Sequence, residues 1–293
     1  MVGPNKTLIV SREPDARFTA ITDAIREAPD GARILVQPGV YRESLVLSRP
    51  VELSADEGGR VILESEGGSC VRSGAAGAAI RDLYLECRAG RSNIRCAGIE
   101  VSSGSLTLEN CRISCDSESC VRVEGPSTSA RLRECRAIGS GRAGVEVTRG
   151  GRAVLDGCDL SGHGLAGLLL SDGGQADVHG TRLRDCEGFG VCALDGCQAS
   201  LRECRLYGNE RAAVGVAPGA RVSVDDSQMR REGLTRWLAR VIAIRIGLTS
   251  LGLGKVATHN IVFKMMSSLG EPLRPLAPTA RGRLWVTVTS SEV

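Results

Sequence analysis

Aromatic side chains are scarce in this chain, with two Trp, three Tyr and three Phe among 293 residues. A long polysaccharide would find few rings on which to stack. Lysine is nearly absent, at Lys6, Lys255 and Lys264 only, while arginine is plentiful. That usage points to a GC-rich genome and says nothing of chemistry. Long apolar runs are missing too. The one candidate, Trp237 to Leu253, is broken by Arg240 and Arg245, so no membrane span is expected. Met1 to Arg17 lacks the apolar core and small-residue cleavage site of a secretory signal. A cytoplasmic location is therefore expected, with the twelve cysteines reduced. Gly252-Leu-Gly254-Lys255-Val256 lacks the first glycine and the Ser or Thr of a phosphate-binding loop. No ATPase and no cofactor are expected.

What the chain has is periodicity. From Ala130 to Arg230 it repeats every 23 residues, the period of a solenoid. Ala130, Ala153, Ala176, Ala199 and Val222 open the units at place 1. Apolar or small residues return at places 3, 6, 8, 16 and 18, as in Leu155, Cys158, Leu160, Leu168 and Leu170. Spacing of two means a strand with one face buried, so each unit holds three short strands. The jump from place 3 to place 6 demands a bend. Places 9 to 14, rich in Gly, Ser, His, Asn and Arg, read as an exposed loop. Gly150, Gly173, Gly196 and Gly219 close the units at a corner suited to positive φ. Units stacked roughly 4.8 Å apart give a parallel β-helix, right-handed by the crossover rule. The span Leu155 to His163 also fits a leucine-rich repeat. The second half of each unit, Gly144 to Gly150 or Ala213 to Gly219, reads as strand then turn and favours the β-helix.

Three segments follow: a lead-in at 1–15, the solenoid at 16–233, and a basic C-terminal extension at 234–293. Phe18, Ile21, Ala24 and Ile25 recur at helical spacing and predict a helix that caps the open end of the tube. Extra length around Arg88 to Cys96 predicts a protruding loop. The extension holds eight basic against two acidic residues, net +6, which leaves −3 for residues 1–233 out of the total of +3. A slightly acidic solenoid without a basic, aromatic stripe does not predict nucleic-acid binding. The extension is expected to cap the last rung, with a basic docking segment as the functional reading. Leu284, Val286 and Val288 alternate as its last strand.

Phe18-x-Ala-Ile-x-x-Ala-Ile25, then Asp30-Gly-x-x-Ile-x-Val-x-Pro-Gly39 and Tyr41-x-Glu43, resemble the opening of right-handed parallel β-helix proteins of the pectin-lyase-like superfamily. The later Asn-Cys-x-Ile and Glu-Cys-Arg units look like that superfamily's repeats. Overall the chain also resembles actinobacterial β-helix modules, some joined to AAA-type ATPase domains and presumed to serve in interaction. The resemblance implies an all-β, three-sheet solenoid with an N-terminal helical cap. It implies no particular activity, because the acid-containing motifs of pectin methylesterases have no counterpart here.

Two columns bear on chemistry. Cys111, Cys135, Cys158 and Cys204 share place 6. A straight column sets neighbours a rung apart and does not converge four ligands on a point, so no metal site is expected. Place 4 carries Glu109, Arg133, Asp156, His179, Arg202 and Asp225 with mostly alternating sign. Read plainly, this is a ladder of surface salt bridges. Read functionally, Asp156, Asp177 and His179, with Asp159 and Arg182, make one polar patch, in which carboxylates share acid and base roles and His179 takes a proton near neutral pH. The first expectation is an interaction scaffold that binds a protein partner or small polar ligand through Arg133, Asp159, Arg182 and Arg202. The alternative is a lyase, isomerase or hydrolase acting through Asp156, Asp177 and His179.

Overall fold

The structure, a computed structural model, describes residues 6–90, 96–229, 274–275 and 284–287. Three sheets wind around one apolar core. Sheet A has eleven strands, and sheets B and C have nine each. One complete rung shows the plan. Arg152–Asp156 lies in sheet A, Asp159–His163 in sheet B and Ala166–Leu170 in sheet C. Each pairs in parallel with its equivalent one rung later, so that Leu155 faces Val178, Leu160 faces Leu183 and Leu168 faces Val191. Val178 in turn faces Leu201. The residues 23 positions apart therefore form stacked interior rows, and the fold is a parallel β-helix.

The bend between places 3 and 6 is a single left-handed residue at place 5. Asn110, Glu134, Gly157, Gly180, Glu203 and Asp226 all take φ between 46° and 62° there. The place-6 side chain closes this corner by donating to the carbonyl two residues back. Cys158 Sγ reaches the Asp156 carbonyl at 3.5 Å, Thr181 Oγ1 the His179 carbonyl at 2.9 Å, and Ser227 Oγ the Asp225 carbonyl at 3.0 Å. Cys, Thr and Ser share the column because each is small and carries a hydrogen to donate. All twelve cysteines are free and buried.

Places 9 to 14 depart from the exposed loop expected of them. In two rungs sheet B runs on to place 11, and Ser140, His163, Cys186 and Asn209 at that place are buried. Polar side chains point inward here because their hydrogen bonds are met. His163 Nε2 donates to the Ala137 carbonyl at 3.1 Å, and Asn209 Nδ2 donates to the Leu183 carbonyl at 3.0 Å.

At the N-terminal end Thr7–Val10 pairs with Ala32–Val36, so the lead-in supplies the first strand of sheet A. The helix Ile21–Glu27 follows and buries Ile21, Ala24 and Ile25 against the first strands of sheets A and C. It has no side-chain cap of its own at Ala20. Instead the Glu43 carboxylate accepts from the amides of Ile21 at 2.9 Å and Thr22 at 2.8 Å. This satisfies two of the donors that a helix start leaves open. At the other end Arg274–Pro275 and Leu284–Thr287 add antiparallel to the last strands of sheets C and A. The expected loop at Arg88 to Cys96 lies in part outside the described residues. So does most of the 234–293 extension, including Trp237 to Leu253. Among the described residues no helix is long and apolar enough to cross a membrane.

Candidate functional site

The outer face of sheet A carries the place-4 column in the expected order. Glu109 faces Arg133, Arg133 faces Asp156, Asp156 faces His179, and His179 faces Arg202. Glu109 sits between Arg81 at 3.2 Å and Arg133 at 3.7 Å. His179 sits between two carboxylates, Asp156 Oδ1 at 3.1 Å from Nδ1 and Glu203 Oε2 at 3.6 Å from Nε2. The hydrogen bond that the imidazole donates to the Asp156 carboxylate is the main cause that raises the His179 pKa above its ordinary value. His179 is more than half exposed, so this pair is screened and contributes little to stability.

The other members of the expected patch are drawn elsewhere. Asp177 accepts from Arg152 Nη2 at 2.6 Å. Asp159 is buried under arginines, with Arg184 Nε on Oδ1 at 3.0 Å, Arg184 Nη2 on Oδ2 at 3.2 Å and Arg182 Nη2 on Oδ2 at 3.4 Å. The patch is thus three separate groups: His179 between Asp156 and Glu203, Asp177 with Arg152, and Asp159 with Arg182 and Arg184. No two of Asp156, Asp177 and Asp159 share a proton donor, and two acids poised about one reacting atom are not assembled. Among the described residues no group of three or more His, Cys, Asp or Glu is placed to hold a metal ion.

A groove of about 390 Å³ lies beside this face, at the corner between sheets A and B. Arg112, Arg136, Asp159 and Arg182 line it from sheet B, and Asp82, Asn110, Glu134 and Gly157 line it from the left-handed corner. Sequence reasoning named Asp159 and Arg182 but not the groove, because a corner's depth depends on how side chains from two sheets lean.

The outer face of sheet C holds two features that the periodicity did not reveal. Glu146 is buried and accepts from Ser119 Oγ at 2.7 Å, Arg142 Nε at 2.9 Å and Arg122 Nε at 3.2 Å. Over the next two rungs Leu169, and then Phe189 and Cys192, form a second apolar cluster apart from the main core. The signal was present. Ala166–Leu170 and Phe189–Ala193 are apolar without alternation, as strands covered on both faces are. Burial pushes the Cys192 thiol up to about 12, which keeps it protonated and inert.

The family of right-handed β-helix regions matches residues 90–229 of this chain. No curated protein is similar to it in sequence. Among solved structures, a complex of XylC with xylose superposes with a TM-score of 0.56 at 9% identity, over 73% of this chain and 67% of that one. Pectate lyase Pel9A gives 0.42 at 10% identity, over 78% and 79%. Pectin methylesterase from carrot gives 0.41 at 13% identity, over 75% and 84%. At such identities the likeness concerns the fold and no residue's role. With its three parallel sheets, its left-handed corners and this match, the chain carries a right-handed parallel β-helix fold.

Proposed function

We propose that this protein is an interaction scaffold, a rigid β-helix that binds a protein partner or small polar ligand through its outer polar face. The observation that carries this reading is the separate pairing of Asp156, Asp177 and Asp159, each with its own basic partner. An acid–base catalyst needs groups that change protonation together at one point. A surface of fixed, alternating charges instead offers register and selectivity to a complementary partner. Arg133, Asp159, Arg182 and Arg202 are its binding residues in this reading.

The enzyme reading keeps one support, His179 held between Asp156 and Glu203, where a proton can be taken up and released. A carbohydrate-active lyase, isomerase or hydrolase would use it with Asp177. A pull-down from native cell extract separates the two readings. The scaffold requires a partner retained by the wild type and lost by the His179→Ala/Asp156→Ala double variant, with an unchanged melting temperature. Turnover of a polysaccharide by the wild type, abolished in that variant, would replace the scaffold with the enzyme.

A further inference from the structure

We propose that the groove between sheets A and B binds an acidic peptide segment, whose carboxylates lie on Arg112 and Arg136. This rests on the scaffold reading and gives the partner a chemistry. The place-7 column on sheet B reads Tyr84, Arg112, Arg136, Asp159, Arg182, Arg205 and Gln228 in continuous register. Sheet A alternates its charges along the tube, whereas this column stacks four arginines against one acid. Like charges directly opposite each other on paired strands repel. Asp159 is already engaged by Arg182 and Arg184. Among the described residues, the side chains of Arg112, Arg136 and Arg205 have no ion pair or hydrogen bond of their own. An anion laid across Arg112 and Arg136 relieves that repulsion.

The wall opposite carries two acids, Asp82 and Glu134, and so steers a peptide's carboxylates toward the arginine column. Its corner column carries Asp82, Asn110 and Glu134, and then turns to Gly157 and Gly180. A Cβ at Gly157 would meet nothing nearer than Glu134 Cγ at 3.7 Å, and one at Gly180 nothing nearer than 3.8 Å. Asn110, Glu134 and Glu203 take the same left-handed φ in the same column. The left-handed φ favours glycine at Gly157 but admits a side chain at some strain, as it does at Asn110 and Glu134, and the missing side chain leaves a notch beside Asp159 and Arg182. The volume of about 390 Å³ suits a few side chains of an extended segment. Arginine forks match carboxylates two bonds at a time. The aromatic residue that lines the groove, Tyr84, has the Arg60 guanidinium over its ring at 5.2 Å, which occupies one of its two faces.

Fluorescence anisotropy of a labelled hexaglutamate peptide against the full chain tests this at low salt. Binding should fall as salt is added. Arg112→Gln/Arg136→Gln should weaken it about tenfold, the combined worth of two exposed charge pairs. Glu134→Gln should tighten it by removing one of the wall's two repelling acids, Asp82 being the other. Gly157→Glu, which fills the notch with a residue that this column already accepts, should abolish it while the fold is kept, as read by unchanged β-sheet circular dichroism; its melting temperature should fall only modestly, the cost of a side chain at a left-handed φ. No binding at low salt, equal binding by the double arginine variant, weaker binding by Glu134→Gln, or tighter binding of a hexagalacturonate than of the peptide each overturns the proposal. If the peptide fails to bind while His179→Ala/Asp156→Ala still loses its captured partner, the groove assignment falls and the scaffold reading stands.

Discussion

His163 shows how an interior of this kind handles a polar residue. It is fully buried, and desolvation lowers its pKa to about 4. Nε2 must carry the proton, because the Ala137 carbonyl can only accept, which leaves Nδ1 to accept from Ser140 Oγ at 2.9 Å. The folded protein therefore resists a proton that the unfolded chain takes up below its ordinary pKa of 6.5. Stability is full above about pH 6.5 and falls by about 1.4 kcal/mol per unit down to pH 4, about 3 kcal/mol in all. His163→Asn should remove this slope and still fold, since Asn209 makes the equivalent bond in the same row. Urea titrations between pH 4 and 7 would show it, and an unchanged slope would refute it. His179 has the opposite sign. Its pKa is raised, so whatever it adds is present below 6.5 and is lost as pH rises through the folded value. Its NMR titration midpoint should lie above 6.5 and move down in Asp156→Asn. The sequence placed His179 on the outer face correctly, because period two decides in from out. It could not show that Asp177 turns to Arg152, because a side chain's choice between neighbouring rungs depends on rotamers.

At the level of elements, the cap helix has a dependence that local sequence hides. Seven residues are too few to be stable alone. Their helix is held by three buried apolar side chains and by a carboxylate that sits 21 and 22 positions further along the chain. Glu43→Ala should cost about 1 to 2 kcal/mol, the usual loss of a helix cap. Hydrogen exchange should show that loss at Ile21 and Thr22 first. Glu43→Gln should retain part of it, since an amide oxygen still accepts. The spacing of Ile21, Ala24 and Ile25 made the helix legible, whereas Phe18, expected with them, lies before it and bridges to Val10. Its cap was not, because Glu43 comes near only once the first rung has closed. The inward turn of place 11 was hidden for a related reason. Ser, His and Asn read as loop by composition, and only the carbonyls of the preceding rung make them interior residues.

At the scale of the whole molecule, each rung touches only its neighbours, and stability is a sum of rungs and interfaces. One rung can therefore be removed cleanly. Deletion of residues 174–196, one full period, joins Gly173 to Cys197 and keeps every row in register. That variant should fold cooperatively, with β-sheet circular dichroism unchanged per residue. Deletion of 174–195 leaves one residue too many, so the side chains that follow are turned from core to solvent until the register recovers. It should unfold at a markedly lower temperature or aggregate. Equal melting of the two variants would show that the period does not govern packing.

The 23-residue rhythm by itself determined the three sheets, the bend at place 5, the closing glycines and which side chains share a row. These follow from alternation and from corners that need left-handed backbone, both of which are local. The tertiary structure decided the rest: the helix cap from Glu43, the inward polar row, the second apolar face on sheet C, the division of the charged patch into separate groups, and the groove at the corner. Each depends on distances between rungs and sheets, and those exist only once the tube has closed.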